Sequence, residues 1–141
     1  MSGKYRIITD PNQFDLARVH DFIAHQSYWA KGRSFEAVKR SIENSVAFGV
    51  FWGDEQIGLA RVITDYTTFA YLADVYIEDA HRGKGLGKWL LEYIIHYPEF
   101  EGISRWLLMT ADAHGLYQQY GFHSLSTPEH AMELRPGKTE T

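Results

Sequence analysis

The chain has 141 residues, of which 45% are hydrophobic and 23% charged, and its formal net charge at pH 7 is −4. This composition is typical of a globular domain rather than of a disordered segment. The acidic balance disfavours a nucleic-acid partner, and the absence of cysteine excludes disulfides, thiolate metal sites and a cysteine nucleophile within the chain. Because no apolar run could span a bilayer and the amino terminus lacks a secretory signal, we expect a cytoplasmic protein without membrane contact.

The first part of the chain predicts one strand followed by two helices. The segment KYRIIT predicts a strand, and Asp10 followed by Pro11 indicates the start of a helix that runs to about His25. Ser34 is placed to cap a second helix that continues through Ser45. The connection between these helices, QSYWAKGRS, is rich in aromatic and basic residues.

The rest of the chain predicts strands alternating with two further helices. The segments VAFGVFW, QIGLARVIT and TFAYLADVYI predict three strands. Apolar residues then recur at helical spacing from Leu86 to Tyr97, and Pro98 is compatible with ending that helix. SRWLLMT predicts a strand, AHGLYQQY a short helix closed by Gly121, and residues 130–135 a last strand. The order β-α-α-β-β-β-α-β-α-β predicts an α/β fold, with a mixed, mainly antiparallel sheet flanked by helices. We expect a single domain over residues 1–136 and a flexible tail over 137–141.

A glycine-rich turn, HRGKGLGKWL, lies between the long fourth strand and the helix that follows it (residues 81–90). The first N–H groups of a helix have no intrahelical partner, and the helix dipole places positive potential beside them. Glycines let an anion approach that backbone closely. Since the turn also carries Arg82, Lys84 and Lys88 in an otherwise acidic chain, it predicts a site for a small phosphate-bearing ligand.

The spacing of the glycines excludes two of the three phosphate ligands considered. A P-loop has four residues between its first glycine and a Gly-Lys pair, and Ser or Thr follows that pair. Here only three residues separate Gly83 from Gly87, and Trp89 follows Lys88. A dinucleotide fingerprint needs G-x-G-x-x-G, whereas the glycines here, with Gly85 between the other two, read G-x-G-x-G. The third candidate is the pyrophosphate of coenzyme A.

Two motifs together resemble those of the GCN5-related N-acetyltransferase (GNAT) family. Arg82, Gly85 and Gly87 match its pyrophosphate loop, Gln/Arg-x-x-Gly-x-Gly/Ala, and TADAHGLYQQYGF is similar to its second signature, Asn-x-x-Ala-x-x-Leu-Tyr-x-x-x-Gly-Phe. Thr110 stands where the family often has Asn. The order of elements over residues 4–135 also fits. The matches to the second signature are Ala113, Leu116, Tyr117, Gly121 and Phe122.

The resemblance implies transfer of an acetyl group from acetyl-CoA to the amine of a small molecule or peptide. A strand edge at residues 75–77 would hold the pantetheine arm by strand addition, a second copy of the chain is a further candidate partner, and no metal is expected. The cofactor-binding residues implied are Val75, Tyr76 and Ile77 at the strand edge, Arg82, Gly83, Lys84, Gly85, Leu86, Gly87 and Lys88 in the loop, and Thr110 in the second motif.

Two residues are candidates for the chemistry of acetyl transfer. Tyr117 resembles the family's general acid. A phenol of pKa about 10 keeps its proton at neutral pH, so it can donate that proton to the departing thiolate. Asp74 is the one acid inside an apolar strand. It is either a general base with a raised pKa or a structural group satisfied by neighbouring donors. With no cysteine to carry the acetyl group, direct transfer is the simpler mechanism.

Two questions stay open from the sequence. Tyr28 and Trp29 could line an acceptor pocket in which Arg33 pairs with a carboxylate, or the connection could be an aromatic-packed loop with solvated Lys31 and Arg33. The predicted enzymatic function also has an alternative, in which the chain is a non-catalytic module that binds or senses acyl-CoA. The seven histidines show no metal-binding spacing.

Overall fold

The computed structural model describes residues 4–137, and these form five strands and four α-helices. The strands pair in the order β1-β2-β3-β4-β5, antiparallel throughout except that β5 runs parallel to β4. This confirms the predicted α/β fold with a mixed, mainly antiparallel sheet. The bounds are β1 Tyr5–Ile8, α1 Leu16–His25, α2 Phe35–Glu43, β2 Val46–Trp52, β3 Glu55–Thr64, β4 Ala70–Ile77, α3 Leu86–Ile95, β5 Trp106–Leu108 and α4 His114–Gln118.

The described chain divides into two compact units, one ending at Met109 and the other beginning at Thr110. The first unit contains the whole sheet and helices α1 to α3, and the second contains α4. The single domain expected over residues 1–136 therefore stays a prediction. Of the expected tail, residues 138–141 lie outside the described residues.

Helix α1 begins later than the sequence predicts. Asp10 and Pro11 start a short 3-10 turn that ends at Gln13, and the following residue is extended. Asp15 caps the helix itself, because its carboxylate accepts the N–H of Arg18 at 3.1 Å. The cap is held by buried Gln56 of β3, whose Oε1 accepts the Asp15 N–H at 2.8 Å. The second cap is confirmed, since the Ser34 side chain accepts the N–H of Ala37 at 3.1 Å.

The helices of the first unit pack against the two faces of the sheet. Helices α1 and α2 share one buried cluster with the strands, which includes Val19, Ile42 and Tyr76. Phe48, next to the clustered Ala47 in β2, points to the opposite face, where its ring lies 6.0 Å from that of Tyr93 in α3. Both faces of the sheet are therefore covered, which is why the strands read as nearly continuous apolar runs.

The strand predicted for residues 130–135 is wrong. Pro128–His130 forms a 3-10 turn, and the residues after it pair with no strand of the described chain. Met132 and Leu134, which supplied the alternating pattern, are 97% and 85% exposed. Alternation marks the side chains that could share a face, but it cannot supply the sheet against which that face packs.

None of the helices in residues 4–137 combines the length and apolar character needed to cross a membrane. The cytoplasmic location stays a prediction.

Tyr76 carries a buried hydroxyl whose removal should not destabilise the fold. Its ring stacks on Phe22 with centroids 3.8 Å apart, while the hydroxyl has no hydrogen-bond partner in the described chain, and burial raises its pKa. An unpaired buried polar group costs about 1–3 kcal/mol. We therefore expect Tyr76→Phe to keep or increase the free energy of unfolding, measured by denaturant titration.

The matched control is Tyr5→Phe, which removes a hydroxyl that lies 2.7 Å from Nδ1 of His81. This variant should lose about 1 kcal/mol. A clear loss of stability in Tyr76→Phe would contradict the assignment of an unpaired hydroxyl.

Candidate active site

The glycine turn is shaped by residues with positive φ. Gly83 and Gly85 have φ of 81° and 78°, a region that other residues enter at a cost of about 1–2 kcal/mol. Gly85 is the N-cap of α3 and offers no capping side chain, so the N–H groups of Leu86 and Gly87 have no acceptor inside the helix. Open space surrounds the Cβ positions of both turn glycines. The backbone conformation, rather than crowding by the protein, therefore requires glycine here.

Arg82 holds the turn to the end of β4. Its Nε donates to Ile77 O at 2.9 Å, and one terminal nitrogen lies 2.8 Å from the Asp79 carboxylate. Its backbone N–H donates to Asp79 O at 3.2 Å, so that N–H is already used within the turn. The Arg82 side chain therefore braces the loop, and the expected role of Arg82 in holding the pyrophosphate stays a prediction. Lys84 and Lys88 are exposed.

The strand edge predicted for the pantetheine arm is present. Strand β5 pairs with β4 only as far as Leu72, and no other strand of residues 4–137 pairs with that edge. The Glu78 N–H donates to Ile57 O of β3. Because the backbone groups of successive strand residues point alternately to the two sides, those of Val75 and Ile77 point away from β3, toward the unpaired side. Tyr76 differs from its expected role, because its backbone faces β3 and its ring is in the core.

A β-bulge interrupts β4 just before this edge. Leu59 pairs with Tyr76 but Arg61 pairs with Ala73, so two residues of β4, Asp74 and Val75, oppose one residue of β3. Asp74 has φ of 52°, a conformation that Asp tolerates better than most residues because its short side chain bonds locally. The bulge places the Asp74 carboxylate beside Arg61.

The Asp74 carboxylate is buried and fully engaged. Its Oδ1 accepts the Trp29 indole N–H at 2.7 Å, and its Oδ2 accepts from Arg33 at 2.8 Å and from Arg61 Nε at 2.7 Å. Burial alone would raise the pKa of this carboxyl, but the two guanidinium groups prevail and lower it. The raised pKa expected of a general base is therefore contradicted, and the contacts favour the structural alternative.

These contacts also decide the environment of the connection between α1 and α2. Arg33 is bound to β4 rather than solvated, and its side chain is 26% exposed. Arg61, whose side chain is only 11% exposed, is not among the residues predicted from the sequence. A signal was available: one cation in an apolar β3 and one acid in an apolar β4 are the residues expected to pair across adjacent strands.

The second unit contains Thr110, which precedes α4, and Tyr117, which lies within α4. Thr110 Oγ1 accepts the Ala113 N–H at 3.1 Å, so the hydroxyl at the family's Asn position stabilises the turn that starts α4. Tyr117 is buried, and its ring meets that of Phe122 edge-on at 5.9 Å. Gly121 ends the element with φ of 93°.

No group of three or more His, Cys, Asp or Glu residues within residues 4–137 is placed to hold a metal ion. A metal-free reaction stays a prediction.

Comparison with known proteins identifies the class to which this fold and site belong. The model of the acetyltransferase (GNAT) family matches residues 16–122. A crystal structure from Xanthomonas campestris, described as belonging to the GNAT family, is 39% identical with a TM-score of 0.90, covering 93% of this chain and 92% of that one. The chain belongs to the GNAT acetyltransferase family, whose chemistry is acyl transfer.

Two other relatives bear on this assignment. A protein of Gibberella zeae whose name describes an acetyltransferase is 28% identical over 137 residues, covering 82% of this chain and 76% of that protein. A GNAT-family acetyltransferase from Elizabethkingia anophelis, solved with acetyl-CoA bound, has a TM-score of 0.64 at 15% identity and covers 86% of this chain and 78% of that one. At that identity the second likeness supports the fold alone.

Replacing Gly85 should weaken coenzyme A binding more than it destabilises the fold. Gly85→Ala places a side chain on the turn and strains a left-handed residue, at a cost of about 1–2 kcal/mol. Because a phosphate must approach this backbone closely, we expect the Kd of coenzyme A, measured by calorimetry, to rise at least about tenfold.

Gly102→Ala is the matched control, since Gly102 has φ of 85°, has open space at its Cβ and lies outside the loop. It should lose similar stability and bind coenzyme A normally. Equal affinities in the two variants would contradict a phosphate site at the turn.

Asp74→Asn should act on stability, with a defined pH dependence. The variant leaves two arginines beside a neutral amide, and breaking a buried ion pair costs about 3–5 kcal/mol. Because the folded-state pKa is lowered, the stabilisation is full above the unfolded pKa of about 3.9 and is lost as the pH falls through the folded value. The difference in free energy of unfolding between wild type and variant should therefore be large at pH 7 and shrink below about pH 4.

Asp54→Asn serves as the control, because Asp54 lies exposed in the β2–β3 turn. It should leave the free energy of unfolding nearly unchanged. An Asp74→Asn variant with wild-type stability and no turnover would restore the general-base hypothesis.

Proposed function

We propose that this protein is an N-acetyltransferase that moves an acetyl group from acetyl-CoA directly to an amine. The observation that carries the proposal is the continuity of the unpaired β4 edge with the glycine turn at the start of α3, in a chain of the GNAT family. One end of this surface offers strand-type hydrogen bonds and the other offers helix N–H groups. A pantetheine arm ending in a pyrophosphate requires that succession.

The donor is bound by main-chain groups in this proposal. Val75 and Ile77 offer the pantetheine amides the pairing that β5 leaves unmade after Leu72. Leu86 and Gly87 offer N–H groups to the pyrophosphate, and the exposed cations Lys84 and Lys88 add positive charge around it. The match of residues 16–122 to the GNAT acetyltransferase family supports this choice of donor.

The reaction joins a neutral amine to the acetyl carbonyl. The amine nitrogen attacks the carbonyl carbon, the tetrahedral intermediate collapses, and the carbon–sulfur bond breaks as the amide forms. An alkylamine has an ordinary pKa near 10.4, so it must pass a proton to water, or through water to a base, before attack. Asp74, a weak base held by two arginines, does not take that proton in this proposal. The absence of cysteine supports transfer without an acetyl-enzyme intermediate.

Tyr117 is proposed to protonate the departing thiolate. It occupies the position of the family's tyrosine in the second motif, and its ring is held by burial and by contact with Phe122. A phenol retains its proton at neutral pH, so it can supply that proton as the sulfur leaves and regain one from solvent afterwards. A fixed ring favours this role because general acid catalysis depends on orientation.

Tyr117→Phe should separate an enzyme from a non-catalytic acyl-CoA-binding module. The substitution removes only the hydroxyl, so the contact with Phe122 should persist. General acids contribute about 10²–10⁴-fold, and a thiolate is already a fair leaving group, so we expect kcat to fall about a hundredfold while the affinity for coenzyme A stays unchanged. Turnover is measured with the best acceptor from a broad amine panel, scored by loss of thioester and by mass spectrometry.

Tyr120→Phe, three residues further along the same unit and outside α4, is the matched control and should keep wild-type kcat. Equal turnover in Tyr117→Phe and wild type would remove Tyr117 from the mechanism. Tight binding of coenzyme A with no transfer to any amine would favour the binding module.

A further inference from the structure

The cluster around Asp74 carries one more positive charge than it can neutralise. Arg33 and Arg61 both form their ion pair with the same carboxylate oxygen, at 2.8 and 2.7 Å, and within residues 4–137 neither pairs with another acid. Two cations and one anion leave a net charge of +1. The Asp74 side chain is 2% exposed and that of Arg61 11%, so this excess charge lies where water screens it poorly. Such a site favours a second anion.

The arginines retain donors with which to hold that anion. Each guanidinium has five N–H groups, and each makes one hydrogen bond to Asp74. The one buried side-chain polar atom without a partner in the described chain is the Tyr76 hydroxyl, so the remaining nitrogens of Arg33 and Arg61 are not sealed from solvent. Asp74 holds both side chains in place, and the Arg33 side chain, 26% exposed, is the more accessible of the two cationic forks.

A pair of aromatic rings is joined to the same carboxylate through Trp29. Trp29 is oriented by its indole N–H bond to Asp74 at 2.7 Å and is 40% exposed. The Tyr28 ring meets it edge-on at 5.2 Å and is 58% exposed. Two large exposed aromatic side chains beside a cationic pair provide an apolar wall next to an anion site, an arrangement that binds small molecules with both kinds of group.

The cluster also adjoins the strand edge proposed for the pantetheine arm. Asp74 directly precedes Val75, and Ile77 lies three residues after Asp74. At 3.3 Å per residue, the distance along the strand from Asp74 to Ile77 is about 10 Å. These two residues provide the edge proposed for the pantetheine arm. A group bound at Arg33 is therefore within the length of a small molecule of the strand along which the thioester would lie.

We propose that Arg33 and Arg61 bind the carboxylate of the acceptor, which makes the acceptor a small amine that carries a carboxylate and an apolar or aromatic group packed on Trp29 and Tyr28. This inference rests on the proposed acetyl transfer. Asp74 is then a positioning residue that holds both arginines and the indole. Arg33 is the more exposed of the two arginines, so it is the residue to vary.

The experiment compares matched acceptors that differ only in the carboxylate. Phenylalanine is paired with phenylalanine amide, and 6-aminohexanoate with its amide, so that the amine lies at two distances from the charge. Binding to the protein saturated with coenzyme A is measured by calorimetry and by Trp fluorescence, and acetyl transfer is measured separately. In wild type, at least one acid should bind about ten- to a hundredfold tighter than its amide, as expected for hydrogen bonds to a charged group.

Arg33→Gln should abolish that preference without unfolding the protein, because Asp74 keeps Arg61 as its counter-charge. Affinity for the amides and for coenzyme A should not change. Arg40→Gln makes the same charge change at an exposed position of α2 and should leave the preference intact. Arg33→Lys keeps the charge but loses the planar fork, so its preference for the acid should lie between those of wild type and Arg33→Gln. This variant replaces Arg33→Gln in the test if the Gln variant is unstable.

The outcomes for this inference and for the proposed function differ. Carboxylate-dependent binding that requires Arg33, with no acetyl transfer, would support the acceptor site and overturn the proposed reaction. Acetyl transfer to acids and amides at equal kcat/KM, a preference that survives Arg33→Gln, or no detectable binding of either acid would overturn the acceptor site.

Discussion

The separation of β4 from β5 after three paired residues is the constraint on which the candidate site depends. A parallel pair that continued to Ile77 would consume the backbone groups that now face outward from Val75 and Ile77. Because β5 ends at Leu108, the sheet keeps its core through β2, β3 and β4 while one edge stays open. Open strand edges are a liability in most proteins. In this chain the edge leads directly into the glycine turn, so the two form one continuous surface of main-chain donors and acceptors.

The bulge at Asp74 connects that surface to the rest of the first unit. The extra residue places an acid in a left-handed conformation inside a strand, a state that persists only where surrounding contacts compensate for it. Trp29, Arg33 and Arg61 supply these contacts from the α1–α2 connection and from β3. The carboxylate thereby fixes a connection that would otherwise be a solvated loop. The local backbone strain, the charge pairing and the position of the apolar wall formed by Trp29 and Tyr28 all depend on Asp74.

Residues with strong local rules could be predicted from the sequence. The Ser34 cap and the turn before α3 follow from short-range chemistry, and both are present. Predictions that needed a partner distant in sequence were less successful. Asp10 and Pro11 form a valid helix start, yet Gln56, more than forty residues away, selects Asp15 as the cap of α1. The alternating pattern of residues 130–135 has no sheet against which to pack.

The role of Asp74 illustrates the same limit, and it also clarifies the chemistry. An acid in an apolar strand has two opposite readings, because burial raises the pKa of a carboxyl while nearby cations lower it. Which effect prevails depends on residues contributed by other elements, here two arginines, and the result is a carboxylate that stays ionised. A group stabilised as an anion is a poor proton acceptor, since accepting a proton would forfeit the ion pairs that hold it. The contacts that make Asp74 an effective anchor for Arg33 and Trp29 are therefore the contacts that make it a poor proton acceptor.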